Sequence, residues 1–118
     1  MIIGKRFYFD SSHHLENHKG KCKNLHGHTY TLDIEVQGDI ETHTRMVVDL
    51  HLLSTYVEEV TNNLDHHNLN DLMDEPTCEK LVNWLSNYFN KNLPSHIKLY
   101  SLKLQEGRGG WAKWTSQE

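Results

Sequence analysis

His26-Gly27-His28-Thr29-Tyr30-Thr31-Leu32-Asp33-Ile34-Glu35-Val36-Gln37 is the stretch that decides the fold. His26, His28, Tyr30, Leu32, Ile34 and Val36 occupy its even positions, while Thr29, Thr31, Asp33, Glu35 and Gln37 occupy odd ones. Successive side chains on a strand point to opposite faces. Alternation of this length therefore specifies a half-buried β-strand over about 26–37. It also places two histidines at i and i+2 on the otherwise apolar face. Imidazoles so placed can grip one ion, and Gly27 between them leaves room.

Upstream, Ile3, Phe7 and Phe9 alternate with Arg6 and Asp10, which predicts a first strand from about Ile2 to Ser12. Carried one step further, the parity brings His13 inward and His14 outward. Three neutral imidazoles with an open position form the layout of a catalytic zinc site. One buried histidine alone reads more simply as a core residue satisfied by hydrogen bonds. Three converging on an apolar face point to a metal held by His13, His26 and His28, because each uncompensated buried polar group is costly.

Downstream the period changes. Asp49 is placed to cap a helix whose stripe is Leu50, Leu53, Val57, Val60 and Leu64, at the three- and four-residue spacing of an amphipathic helix. Pro76-Thr77 opens a second helix, with Thr77 as N-cap and Glu79 in the first turn. Cys78, Leu81, Val82, Leu85, Tyr88 and Phe89 face inward, and Pro94 marks its end. A third strand spans about Ile97 to Glu106, with Tyr100, Leu102, Leu104 and Glu106 on one face. Gly107, Gly109 and Gly110 form a turn before a short strand carrying Trp111 and Trp114. Strands and helices are grouped rather than alternating. The expected class is α+β: a four-stranded antiparallel sheet, order ββααββ, with both helices on one face.

The 118 residues fit a single domain, 1–118. Apolar residues make up 36% and mean hydropathy is −0.70, low enough to suggest that partner subunits cover some polar surface. Net charge is −4 with no long basic run, so nucleic acid is not an expected partner. No apolar run approaches the roughly 20 residues of a membrane span, and the N-terminus lacks a signal-peptide core. Two cysteines, Cys22 and Cys78, are too few for a disulfide framework and suit a reducing cytoplasm. The outlier is the count of ten histidines.

Four further features carry chemistry. Cys22, four residues before His26, reads either as a thiolate base or as a fourth ligand closing a structural zinc centre. In Leu64-Asp65-His66-His67 a carboxylate beside a histidine can set its tautomer, or the group is a polar cluster at a helix end. Glu106 ends an apolar row and needs a partner: a ligand offering paired N–H donors, an internal ion pair, or solvent. His18, Lys19, Lys21 and Lys23 form a basic loop that either holds phosphates or is simply solvated.

Phe9-Asp10-Ser11-Ser12-His13, Cys22-Lys23-Asn24-Leu25-His26-Gly27-His28, Met46-Val47-Val48-Asp49, Leu64-Asp65-His66-His67-Asn68-Leu69-Asn70, Pro76-Thr77-Cys78-Glu79 and Glu106 together resemble the 6-pyruvoyl-tetrahydropterin synthase / 6-carboxy-5,6,7,8-tetrahydropterin synthase family. The pieces stand in family order over almost the whole chain. The resemblance implies a tunnelling fold (T-fold), in which three subunits close a barrel and two barrels stack into a homohexamer with active sites between subunits. It implies zinc on His13, His26 and His28, Cys22 as general base, Asp65 and His66 as proton relay, and Glu106 as pterin anchor. Two departures stand out: Ser11-Ser12 replaces the more usual Ala-Ala, and Gly107–Trp111 lacks the threonine common after the anchor.

The short gap between Cys22 and His26 is similar to the 6-carboxytetrahydropterin synthase branch, of the queuosine/archaeosine precursor pathway. The resemblance thus implies a zinc-dependent lyase converting 7,8-dihydroneopterin triphosphate to 6-carboxy-5,6,7,8-tetrahydropterin, with acetaldehyde and triphosphate released. Alternatives are a 6-pyruvoyl or a 6-hydroxymethyl product. From another class, the rival is a non-catalytic structural zinc protein.

Overall fold

The structure, a computed structural model, describes residues 1–116. β1 (Ile2–His13) and β2 (His26–Gly38) are joined by a loop containing a 3-10 turn at Lys21–Lys23. Helix α1 (Leu50–Leu64), β3 (His67–Asn68), helix α2 (Cys78–Asn92), β4 (Ile97–Glu106) and β5 (Trp111–Thr115) follow in order. The class is α+β, as the grouping of periods predicts.

The sheet has five strands in the order β3-β1-β2-β4-β5, not the four expected. The additional strand, β3, runs parallel to β1, pairing Ser11 with His67 and Ser12 with Asn68, so the sheet is not wholly antiparallel. Two residues cannot display a period, and tertiary anchors impose the pairing instead. The His66 N–H donates to the Asp10 carbonyl at 2.6 Å, and Ser11 Oγ donates to the Leu64 carbonyl at 2.5 Å. The other three pairings are antiparallel.

The β1–β2 register sets Phe9 opposite Tyr30, Ser11 opposite His28 and His13 opposite His26. Parity does the rest: Phe7, Phe9, Ser11 and His13 are buried along β1, and Tyr30, Leu32, Ile34 and Val36 along β2. In β4 the predicted row is interrupted. Glu35 pairs with Ser101 but Val36 pairs with Leu99, leaving Tyr100 as a bulge. A bulge shifts side-chain parity by one. Ile97 and Leu99 therefore share the core with Leu102 and Leu104, while Tyr100 does not join that row.

Both helices contribute to one core on this face. Asp49 accepts from the His51 N–H at 2.8 Å to start α1, and Thr77 accepts from the Lys80 N–H at 3.2 Å to start α2. Leu53, Val57, Val60 and Leu64 of α1 are buried with Leu81, Val82, Leu85 and Phe89 of α2. Leu50, at the first helical position, stays 45% exposed. Leu85 is fully enclosed, so Leu85→Ala is expected to lower unfolding free energy by about 2–5 kcal/mol, read from denaturant melts. Among the described residues no helix is long and apolar enough to cross a membrane.

Candidate active site

The β1–β2 register brings His13, His26 and His28 together at one end of the core face, with one ring nitrogen from each within 4.8 Å of the others. His13 Nε2 and His26 Nε2 are 3.0 Å apart. The Nδ1–H of His13 donates to the Pro76 carbonyl at 2.8 Å, and that of His26 to the Asn24 carbonyl at 2.7 Å. A carbonyl only accepts, so both Nδ1 atoms carry a proton, which in the neutral ring leaves the lone pair on Nε2. Two facing lone pairs do not bond to each other. His28 Nε2 is likewise buried and has no hydrogen-bond partner. Burial pushes the His28 imidazole below its ordinary value, partly opposed by Glu106, which favours the neutral ligand form. Three ring nitrogens within 4.8 Å of one another, on rings of which two have their second nitrogen pinned, make a donor set for a single divalent ion.

Glu106 follows Leu104 on β4 and reaches the same place. Its Oε1 is 3.6 Å from His28 Nε2 and its Oε2 is 4.0 Å from His13 Nε2. The Tyr30 hydroxyl lies 3.5 Å from His13 Nδ1; burial, then Glu106, pushes it up, so it remains a phenol. The Cys78 Sγ–H donates to the Leu104 carbonyl at 3.1 Å. Burial, then Glu106, pushes that thiol up to about 11, leaving it a thiol rather than a nucleophile at neutral pH. Gly107 turns the chain at φ +61°, where a glycine avoids strain.

Cys22 sits half-buried in the Lys21–Lys23 turn, in the loop whose Asn24 carbonyl orients His26. Its sulfur is not among the ligand atoms that lie within 4.8 Å of one another. Lys19, Lys21 and Lys23 are exposed around it.

Asp65 and His66 form a second group. Asp65 Oδ2 is 2.9 Å from His66 Nδ1, and Asp65 Oδ1 accepts from the Asp10 N–H at 2.8 Å. His66 has φ +58°, an uncommon conformation outside glycine, fixed by its own N–H bond to Asp10. Asp10 and Thr29 lie on the polar face of the sheet, opposite the three histidines. Within one chain, therefore, Asp65 and His66 are not brought onto the face that carries the histidines. His28, Thr29 and His66 all border one open cleft of about 490 Å³, so the groups are separated by little more than the sheet itself.

The Asp10 N–H bond, then His66, pulls Asp65 below its usual value of 3.8; Asp65 in turn raises His66 above 6.5. The Asp65 contribution to stability is present above 3.8 and lost as pH falls through its folded value. The His66 contribution is present below 6.5 and lost as pH rises through its folded value. The Tm difference between wild type and Asp65→Asn is thus expected to be greatest between pH 3.8 and 6.5 and to shrink on either side.

The profile of the 6-pyruvoyl tetrahydropterin synthase family matches residues 2–117. The chain belongs to this family. It is 40% identical over 102 residues to "Dihydroneopterin monophosphate aldolase" of Pyrococcus furiosus, covering 86% of each chain. It is 37% identical over 91 residues to "6-carboxy-5,6,7,8-tetrahydropterin synthase" of Synechocystis sp., covering 71% of this chain and 70% of that one. The solved 6-pyruvoyl tetrahydropterin synthase of Caenorhabditis elegans shares the fold, with a TM-score of 0.85, 21% identity, and coverage of 99% of this chain and 96% of that one. The relatives' names are those of lyases, and the chain is an enzyme of this tetrahydropterin synthase family.

Three contributors to the site escape a reading of the sequence. The Pro76 and Asn24 carbonyls are main-chain atoms with no residue signature. Asp10 stands inside a matched motif without a role assigned, and only the fold shows it against Asp65.

Proposed function

We propose that the chain is a zinc-dependent lyase converting 7,8-dihydroneopterin triphosphate and one water to 6-carboxy-5,6,7,8-tetrahydropterin, acetaldehyde and triphosphate. Such a product would feed 7-deazapurine synthesis of the queuosine or archaeosine kind. The carrying observation is the set of three histidine ring nitrogens within 4.8 Å of one another, with His13 and His26 held by carbonyls on Nδ1.

His13, His26 and His28 would hold the zinc, which when bound would supply Lewis acidity beside the substrate side chain. Glu106 accepts hydrogen bonds from the pterin N–H groups and fixes the ring beside the histidines. The Cys22 thiolate removes a proton from the side chain. His66, oriented by Asp65, returns or removes protons. Because Asp65 and His66 sit on the other face of their own sheet, a neighbouring subunit supplies them. This assembly is a homohexamer of two trimeric barrels in which β5 and the free length of β1 find partners. The working unit is one domain, 1–118, acting in the cytoplasm.

The Synechocystis relative's name supports the carboxy product. The identity with the Pyrococcus aldolase favours a second reading, a 6-hydroxymethyl product. Both readings cut the bond between the first and second side-chain carbons, so they share the site and differ in what happens to the first carbon.

Incubation of the zinc-loaded protein with 7,8-dihydroneopterin triphosphate and, separately, the monophosphate, followed by mass spectrometry, tests this. A 6-carboxy-tetrahydropterin with acetaldehyde is the expected result. A 6-hydroxymethyl product moves the enzyme to the aldolase branch, and a 6-pyruvoyl product to the branch that keeps the side chain. Intact substrate beside folded, zinc-bound protein overturns the catalytic reading in favour of a structural metal.

A further inference from the structure

Asp10 has three attachments in the structure. Its N–H donates to Asp65 Oδ1 at 2.8 Å. Its carbonyl accepts the His66 N–H at 2.6 Å. Its carboxylate Oδ1 accepts from Thr29 Oγ1 at 2.5 Å, across a register in which Asp10 and Thr29 are direct partners. The carboxylates of Asp10 and Asp65 and a ring nitrogen of His66 all lie within 4.8 Å of one another. His66 thus faces two carboxylates rather than one.

This arrangement is not what charge alone would choose. Two carboxylates so close repel, and an exposed Asp10 side chain is free to swing into water. The Thr29 hydroxyl holds it in place, and a cation between the two acids relieves the repulsion. His66, when protonated, is that cation. The main chain of Asp10 meanwhile fixes the left-handed turn that aims the ring.

We infer that Asp10 is a positioning residue for His66: its main chain sets the His66 backbone, and its carboxylate, pinned by Thr29, stands with that of Asp65 beside the imidazole and holds the ring at the cleft. This rests on the reading of His66 as the proton relay. The groups that face the ring are Asp65 from its own loop, Asp10 from β1 and Thr29 from β2, with the His67 ring turned to the Asp65 carbonyl at 2.7 Å. Both carboxylates act on His66 in the same direction, Asp65 more strongly than Asp10.

The roles of the Asp10 main chain and carboxylate can be separated, because Asp10→Asn keeps every main-chain bond and removes only the charge. The test is an NMR titration of the histidine ring protons in zinc-loaded protein, with the His66 resonance assigned as the one absent from His66→Asn. Asparagine also tolerates positive φ. In Asp10→Asn the His66 midpoint should fall below wild type, and the limb on which turnover is lost as pH rises should move to lower pH with it. Asp10→Glu restores the charge and should return both toward wild type. High salt should reduce the difference, since the groups are exposed.

An unchanged His66 midpoint in folded Asp10→Asn overturns the inference. A midpoint that falls while the rate profile stays fixed upholds the Asp10–His66 coupling and instead removes His66 from the reaction, so the two readings fail separately. Circular dichroism shows whether a variant is folded before either result is read.

Discussion

His26→Ala leaves the protein folded but without metal and without turnover. The side chain lies at the open end of the β1–β2 pair and is only half-buried, so its truncation removes little packing. It does remove one of three nitrogens that lie within 4.8 Å of one another. Loss of an outer-shell partner alone typically weakens metal binding about 10–100-fold. Loss of a ligand exceeds that, and zinc should fall to background after gel filtration, measured by plasma mass spectrometry. Binding to the native state raises its stability, so a chelator should lower the Tm of wild type and leave that of His26→Ala unmoved. A variant with full zinc and a normal rate would sink the ligand assignment, and one that is unfolded would be replaced by His28→Ala for the same measurement.

Cys22→Ala has the second large effect, and it is of the opposite kind: turnover falls by about 10²–10⁴-fold, the usual worth of a positioned acid or base, with zinc retained at one per chain. The distinction follows from geometry. The three histidine nitrogens form their group without the Cys22 sulfur, so deleting the thiol leaves the donor set whole. If Cys22→Ala instead lost its zinc, the sulfur would be a fourth ligand and the centre a closed structural one. Full activity with full zinc would remove Cys22 from the chemistry altogether.

The parts of this fold legible in the sequence are those where one physical rule acts over many residues. Period 2 along His26–Gln37 gave the strand, its buried face and the side on which His26 and His28 emerge. Period 3.6 and the Asp49 and Thr77 caps gave both helices. The sequence does not reveal features settled by a single contact. β3 is two residues placed by bonds just before it, from the His66 N–H to the Asp10 carbonyl and from Ser11 Oγ to the Leu64 carbonyl. The Tyr100 bulge reverses the parity of β4 because Glu35 and Val36 take Ser101 and Leu99 as partners; Tyr100 reads as well in the row as out of it. The histidine triad was visible because its members obey the same alternation as their strands. The relation between that triad and Asp65–His66 was not, because no spacing shows that the segment after α1 docks on Asp10, on the opposite face of β1.

The ring protons of His13 and His26 are set by groups that no codon specifies. The Pro76 and Asn24 carbonyls that hold His13 and His26 belong to the main chain and are present whatever residue occupies either position. Asn24 is exposed, so a saturation scan would score that position as permissive even though it supplies an atom the metal site requires. The Asp65–His66 pair has no such insurance, because its acceptor is a side chain. Drift over generations can therefore retune the relay one substitution at a time, while the metal centre changes only by losing a ligand outright or by rerouting the chain beneath it.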